Sequence, residues 1–130
     1  MGLNESVGWG IIGCGGISGK FAAGLKGLAN ARLVAAASRD ASRAADFAKH
    51  WGFEKSYGSY EALAGDPDVD VVYVGTVHPA HVENTLLCID SGKSVLCEKP
   101  FAINAVQAKK MIEAARRADV FLMEAMWTRF

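Results

Sequence analysis

A doubly wound α/β domain built on a parallel sheet is the fold that this 130-residue sequence predicts. Three observations predict it. Apolar runs bounded by turn residues alternate along the chain with stretches of helical period. The apolar runs are continuous, not polar on every second residue, so both faces of each strand are buried, as in a parallel sheet covered by helices on each side. A glycine-rich turn, Gly13-Cys14-Gly15-Gly16-Ile17-Ser18, joins the first apolar run to the first helical stretch.

The elements follow in order. Val7 to Ile12 reads as a buried strand and Ile17 to Leu28 as the helix after it. Leu33 to Ala37 is a second strand and Ser42 to His50 a second helix, with Asp40 placed to cap it and Gly52 to end it. Tyr57 falls in a short extended piece, Ser59 caps a small helix ending near Gly65, and Asp66-Pro67-Asp68 makes a turn. Val69 to Val74 is β-branched and apolar throughout, the most strand-like run in the chain. A helix from about Ala80 to Asp90, a strand from Ser94 to Cys97, a helix from Asn104 to Ala118 and a strand from Val120 to Met123 complete one domain over residues 1–130.

Composition narrows the function classes. A chain of this length buries roughly two-thirds of the surface it exposes unfolded. With 51% hydrophobic residues and 14 basic against 14 acidic side chains, neither disorder nor a nucleic-acid footprint is expected. No apolar run approaches the roughly 20 residues of a membrane span, and no basic, hydrophobic signal region opens the chain. Cys14, Cys88 and Cys97 are odd in number and scattered, so neither a disulfide framework nor a zinc site follows, and a reducing cytoplasmic setting is expected. Met1-Gly2-Leu3-Asn4-Glu5-Ser6 fits the loose myristoylation pattern. With no polybasic patch after it, one acyl chain would anchor only marginally, and a plain N-terminus is the expectation.

The glycine turn carries the first chemistry. A pyrophosphate must come close enough to a helix N-terminus to accept backbone N–H bonds, and side chains there would block it. Gly13 would make the tight turn and Gly15 the close approach, with Gly16 and Ile17 opening the helix. Ser18 takes the third position of the G-x-G-x-x-G pattern, where a small residue still lets helix and strand pack. An ordinary strand-to-helix turn also uses glycine for positive φ. The flanks, a strand before, a helix after and a second strand ending about twenty-five residues on, favour a dinucleotide site.

The end of the second strand bears on which dinucleotide. Sites for NAD usually hold an acid there, on the ribose 2′-hydroxyl. Here Ser38 is small and neutral, and Arg39 follows. A carboxylate about 4 Å from a 2′-phosphate would cost on the order of 4 kcal/mol at an effective dielectric near 20. An arginine fork gains instead through bidentate bonds. NADP is therefore the expected cofactor, with Arg43, one turn into the helix, as a second phosphate contact. The alternative leaves Arg39 and Arg43 on a solvated face and turns Asp40 toward the ribose of NAD.

Two further strand ends are chemically loaded, and ligands of open parallel sheets gather at the carboxyl ends of strands. One is Gly75-Thr76-Val77-His78-Pro79-Ala80-His81. The H-x-x-H spacing of His78 and His81 lacks a completing carboxylate or cysteine, so no metal is expected. The other is Glu98-Lys99-Pro100. A lysine ending a buried strand and pinned by proline is expected to be held back from bulk water, its ammonium free to bond a substrate oxygen or lower a neighbouring base's pKa. A structural pairing of Lys99 with Glu98 is the alternative.

In the order and spacing of these motifs, the sequence resembles the glucose–fructose oxidoreductase, inositol dehydrogenase and MocA family of NAD(P)-dependent oxidoreductases. The resemblance covers essentially the whole chain and only the family's N-terminal, Rossmann half. The segments 36–40, 57–61 and 123–130 look most like the branch that oxidises trans-dihydrodiols and aldoses such as D-xylose. It implies that Gly13 to Ser18 bind the pyrophosphate, Arg39 with Arg43 the 2′-phosphate, and that Thr76, His78, Pro79 and His81 line the path from adenine to nicotinamide. It implies Glu98 at the nicotinamide ribose, Lys99 as the catalytic lysine by the reacting carbon, and Trp127 and Arg129 closing over the cofactor. A tyrosine, histidine or aspartate from the family's C-terminal α/β substrate domain would complete proton transfer. Tyr57 and Tyr60 fall near a different strand and are expected to be packing or edge residues instead.

Nothing after Phe130 supplies that partner, so the expectation is cofactor binding without appreciable turnover by this chain. A general base normally contributes on the order of a hundred- to ten-thousand-fold. Met126, Trp127 and Phe130 would form an apolar end open to self-association as a homo-oligomer or to pairing with a full-length paralogue. That end also motivates a rival reading, a non-catalytic NADP(H)-binding module that regulates a partner.

Overall fold

The computed structural model describes residues 6–99 and 101–125. Its strands are β1 (Val7–Ile12), β2 (Ala31–Ala37), β3 (Lys55–Tyr57), β4 (Val71–Val74), β5 (Ser94–Glu98) and β6 (Leu122–Ala125). Between them lie α1 (Gly16–Lys26), α2 (Ala41–Trp51), α3 (Tyr60–Ala64), α4 (His81–Asp90) and α5 (Ala105–Ala118), with a 3-10 turn at His78–Ala80 leading into α4. The six strands form one sheet in the order β3-β2-β1-β4-β5-β6, and every neighbouring pair is parallel. This is the doubly wound Rossmann arrangement. Chain order reverses between β1 and β4, and a crevice opens at the carboxyl ends of these two strands.

Strand periodicity explains why both faces are covered. Successive side chains point to opposite faces. Ile12, Ala35, Ala37, Val72 and Val74 enter one buried cluster with Leu63, Ile89 and Met111. Ile11, Ala36 and Tyr73 enter the other with Ala22, Phe47 and Phe53. The first layer is completed by α3, α4 and α5, the second by α1 and α2. Three consecutive alanines at the end of β2 are fully buried, which leaves room for helices to approach on each side.

Helix ends follow local chemistry. The Asp40 carboxylate accepts the Ser42 and Arg43 amides at the start of α2, and Gly52, at φ 86°, ends that helix in the left-handed region. Ser59 caps α3 and Asn104 caps α5 in the same way. Three boundaries differ from expectation for hydrogen-bonding reasons. The second strand starts at Ala31, not Leu33, because Ala31 pairs with Val7 at the start of β1. Val69 precedes β4, since its N–H is taken by the Asp66 carbonyl within the turn. The last strand begins at Leu122 and not Val120, because the Val120 N–H closes the end of α5 onto Ala115.

One polar network ties the edge strand to that turn. Lys55 Nζ lies 2.9 Å from Asp66 Oδ2 and 3.0 Å from Asp68 Oδ2, and the Tyr57 hydroxyl donates to Asp66 Oδ2 at 2.8 Å. The Asp68 N–H donates to Asp66 Oδ1 at 2.9 Å. Burial alone would raise the Asp66 pKa, but the Asp68 N–H, the Lys55 ammonium and the Tyr57 hydroxyl outweigh it and hold the carboxyl below its usual range.

Candidate functional site

At the carboxyl ends of β1, β2 and β4 lies a cleft of about 380 Å³. Gly13, Cys14 and Gly15 form one wall, Ser38, Arg39, Asp40 and Arg43 a second, and Gly75, Thr76, Val77 and Ala80 a third. The glycine turn, the β2 end and the β4 end thus meet in one place. These are three of the five segments that carry expected site residues.

The glycines of the turn have different physical causes. Gly13 sits at φ 93°, and a Cβ there would lie 2.8 Å from the Gly75 carbonyl oxygen, so the fold itself demands glycine. At Gly75 a Cβ would collide with the buried Ser18 hydroxyl and the Tyr73 ring. Ser18 is the small residue that lets α1 pack against the end of β4. Gly15 is another matter. Its φ of −91° and ψ of −173° suit any residue, and a Cβ there meets nothing within 4 Å. Gly16 is equally open. Folding gives no reason for glycine at either position.

The start of α1 is also left electrically bare. Gly15, its N-cap, supplies no side-chain hydrogen bond, and no acid lies in the first turn. Neither a capping side chain nor a first-turn acid therefore meets the first N–H groups and the positive end of the helix dipole. An open glycine cradle at a bare helix N-terminus fits a pyrophosphate, and the donor set at β2 fits a further phosphate. Arg39 is exposed at the cleft, its guanidinium carbon 5.9 Å from the centroid of the Tyr60 ring. Arg43 is steered toward the turn, with Nε donating to the Cys14 carbonyl at 3.4 Å. Asp40 is committed to capping α2, at 2.9 Å from the Ser42 N and 3.3 Å from the Arg43 N. Its own N–H bonds the Ser38 hydroxyl.

The β4 loop is fixed from behind. His81 is buried, with its Nε2 2.9 Å from the Thr76 carbonyl oxygen, and Asn84 donates to the Thr76 hydroxyl at 3.0 Å. His81 therefore stands behind the cleft wall and not on it, because the first turn of α4 turns this face toward the sheet. Pro79 is exposed beside it.

At the end of β5, Glu98 is only 6% exposed and accepts a hydrogen bond from the fully buried Tyr73 hydroxyl. The Tyr73 ring stacks on Phe21 of α1 at 4.0 Å, so this carboxylate is braced from the core. Lys99 corrects an expectation. It is exposed and not held back from water, since the chain leaves the sheet in a bend directly after Glu98. Pro100, Trp127 and Arg129 lie outside the described residues, as does the Met1–Glu5 stretch.

Burial decides what the thiols can do. It pushes Cys14 up to about 11 against the opposing pull of Arg43, Cys97 up to about 11 and Cys88 up to about 12. All three stay protonated near neutrality and offer no thiolate nucleophile. Among the described residues, no group of three His, Cys, Asp or Glu side chains could hold a metal ion, and no helix is long and apolar enough to cross a membrane. The sequence reading placed Gly75 in the loaded end of β4 without giving it a role in the cleft, and did not place Tyr60 there at all. Glycine after a β-branched strand was a readable signal for the first. Nothing local marks the second, whose place depends on α3 folding back beside β2.

The comparisons with known proteins agree with this geometry. Residues 7–126 match a family model described as an oxidoreductase family with an NAD-binding Rossmann fold. The trans-1,2-dihydrobenzene-1,2-diol dehydrogenase of Xenopus tropicalis is 49% identical over 124 residues, covering 94% of this chain. This chain spans 38% of that relative's length. Among solved structures, KijD10, a 3-ketoreductase from Actinomadura kijaniata in complex with NADP, superposes with a TM-score of 0.88 at 33% identity, covering 92% of this chain and 38% of its own. GenD2 from gentamicin A biosynthesis, in complex with NAD, superposes with a TM-score of 0.89 at 25% identity, covering 96% of this chain and 36% of its own. Structural neighbours thus hold either dinucleotide.

Proposed function

The chain belongs to the glucose–fructose oxidoreductase, inositol dehydrogenase and MocA family of oxidoreductases, and from that premise we propose that it is the NADP-binding part of a dehydrogenase acting on a sugar, such as the aldose D-xylose, or on a trans-dihydrodiol. One observation carries the reading. Gly15 stands open at the bare N-terminus of α1, in a conformation any residue could adopt, beside two arginines. Glycine there serves a ligand and not the fold.

Residues Gly13 to Ser18 would cradle the pyrophosphate through backbone N–H groups, and Arg39 with Arg43 would take the 2′-phosphate. The capping role of Asp40 supports NADP over NAD, because two backbone amides already hold its Oδ1 at the start of α2. Thr76, His78 and Pro79 would flank the path toward the nicotinamide, with His81 shaping it through the Thr76 carbonyl. Glu98 would meet the nicotinamide ribose, and Lys99, at the water-facing end of β5, would place its ammonium by a substrate oxygen. Trp127 and Arg129 would close over the cofactor. The bound nicotinamide supplies hydride transfer to or from a carbon bearing a hydroxyl. The proton-transfer group and substrate pocket are proposed to come from the length that the relatives have and this chain does not span. Residues 1–130 thus act as a dinucleotide-binding domain that binds without turning over.

Parallel titration of the 130-residue chain with NADPH and NADH tests this. NADPH is expected to bind at least about tenfold more tightly, and Arg39→Ala is expected to remove most of that preference by taking away a charge-assisted fork worth about 1.5–3 kcal/mol. Equal affinities in the unsubstituted chain, or an Arg39→Ala variant that keeps its preference, would overturn the NADP assignment. Reduction of NADP by the chain with D-xylose or a trans-dihydrodiol would overturn the expectation of binding without turnover.

A further inference from the structure

A second cavity, of about 600 Å³, adjoins the nucleotide cleft, and Arg39 and Tyr60 line both. They form the partition between two very different environments. On the cleft side stand the glycine turn and Arg43. On the other side the walls come from α3 and α4 and carry three acids, Glu61, Glu83 and Asp90. Among the described residues no carboxylate lies within ion-pair distance of Arg39. The contact recorded for its guanidinium is instead the face of the Tyr60 ring, at 5.9 Å from the centroid.

We propose that Tyr60 is a positioning residue for the cofactor's 2′-phosphate, acting through Arg39. Its aromatic face parks the guanidinium on the partition, within reach of the cleft, and keeps it from turning into the acid-lined cavity. This rests on the assignment of Arg39 to the 2′-phosphate. The physical case has three parts. An exposed arginine loses rotamer freedom when it clamps a phosphate, and a ring that already holds the guanidinium reduces that loss. Held over a ring and not against a carboxylate, the guanidinium keeps its N–H donors available for the phosphate. Tyr60 itself is well anchored: it is half-buried, packs against the core and begins α3, whose N-terminus Ser59 caps at 3.2 Å from the Ala62 N.

A double-substitution cycle read with both nucleotides tests the proposal. Tyr60→Leu is expected to weaken NADPH about threefold to fivefold, the range of a surface cation–π contact, and to leave NADH within about twofold. Tyr60→Phe, which keeps the ring face, is expected to bind NADPH within about twofold of the unsubstituted chain. In an Arg39→Ala background, Tyr60→Leu is expected to cost nothing further. A residue that merely lined the cavity or supported the fold would weaken both nucleotides alike and add to Arg39→Ala. Either pattern overturns the proposal, as does a Tyr60→Phe variant as weak as Tyr60→Leu, or a Tyr60→Leu variant with full NADPH affinity. Should Tyr60→Leu fail to fold, Tyr60→Met fills the core contact without a ring and takes its place in the cycle. The Arg39→Ala arm alone reports on the 2′-phosphate assignment. If that substitution leaves NADPH binding intact, the assignment has failed and the positioning role fails with it. If Arg39→Ala weakens NADPH and Tyr60→Leu does not, only the role of Tyr60 is lost.

Discussion

Gly15→Asp is expected to make the protein more stable and unable to bind its nucleotide. The two effects have opposite signs because they come from the same unfilled place. The N-cap of α1 has an extended conformation that aspartate adopts without strain, and a side chain there enters open space. Aspartate is among the preferred N-caps, and its charge complements the helix dipole, so a gain of about 0.5–1 kcal/mol is expected. The same carboxylate would stand where a pyrophosphate has to accept the first N–H groups. At about 4 Å and an effective dielectric near 20, each like-charge pair costs on the order of 4 kcal/mol, enough to lower NADPH affinity by at least about a hundredfold. Gly13→Ala supplies the contrast. At φ 93°, with the Gly75 carbonyl oxygen 2.8 Å from the new methyl carbon, it should cost roughly 2–3 kcal/mol of stability by strain alone. Thermal unfolding and NADPH titration of the two variants read both quantities. A Gly15→Asp variant that binds normally would remove the phosphate from the glycine turn, and one that unfolds early would show that Gly15 has a folding role after all.

The fold was legible because its signals are local and mutually consistent. Continuous β-branched runs, capping residues at Asp40 and Ser59 and a left-handed glycine at Gly52 all sit where short-range chemistry puts them. The glycine turn was legible for the same reason, and the sequence already assigned Gly13 the tight turn and Gly15 the close approach, although it could not name the contact that makes Gly13 obligatory. That contact is the Gly75 carbonyl, which lies 62 positions further along the chain. Long-range partners were what sequence could not supply. Tyr60 reads as a packing residue until α3 is seen beside the end of β2, and His81 reads as a cleft residue until its ring is found bonded to Thr76. Lys99 shows the limit of arguing from a motif: the buried strand was read correctly, but the bend after it carries the side chain into water. The Glu98–Tyr73 contact and the Asp66 network also join residues with nothing in their own neighbourhoods to announce them.

Asp66→Asn is expected to destabilise the fold substantially, and its effect should fade in acid. The Asp66 side chain is 1% exposed, and it gathers the Lys55 ammonium, the Tyr57 hydroxyl and the Asp68 amide onto two oxygens. These contacts hold the edge strand β3, which pairs only over Ala35–Ala37, against the turn that leads to β4. Asparagine keeps the shape but removes the charge, and its amide nitrogen brings a donor to a place where a donor already points. A loss of about 2–3 kcal/mol follows from a buried charge-assisted site left half satisfied, discounted for the partial exposure of Lys55. For a domain of this size that is a fall in thermal midpoint of roughly 6–15 °C. The folded-state pKa of Asp66 is lowered, so its contribution is fully present above its unfolded value, near about 4, and is lost as pH falls through the lower folded value. The unsubstituted chain and the variant should therefore differ most at neutral pH and converge well below about pH 4, where both carry an uncharged side chain. Urea unfolding across that range measures the gap directly. A gap that stays constant with pH would mean that the shape of the turn matters and the charge on Asp66 does not.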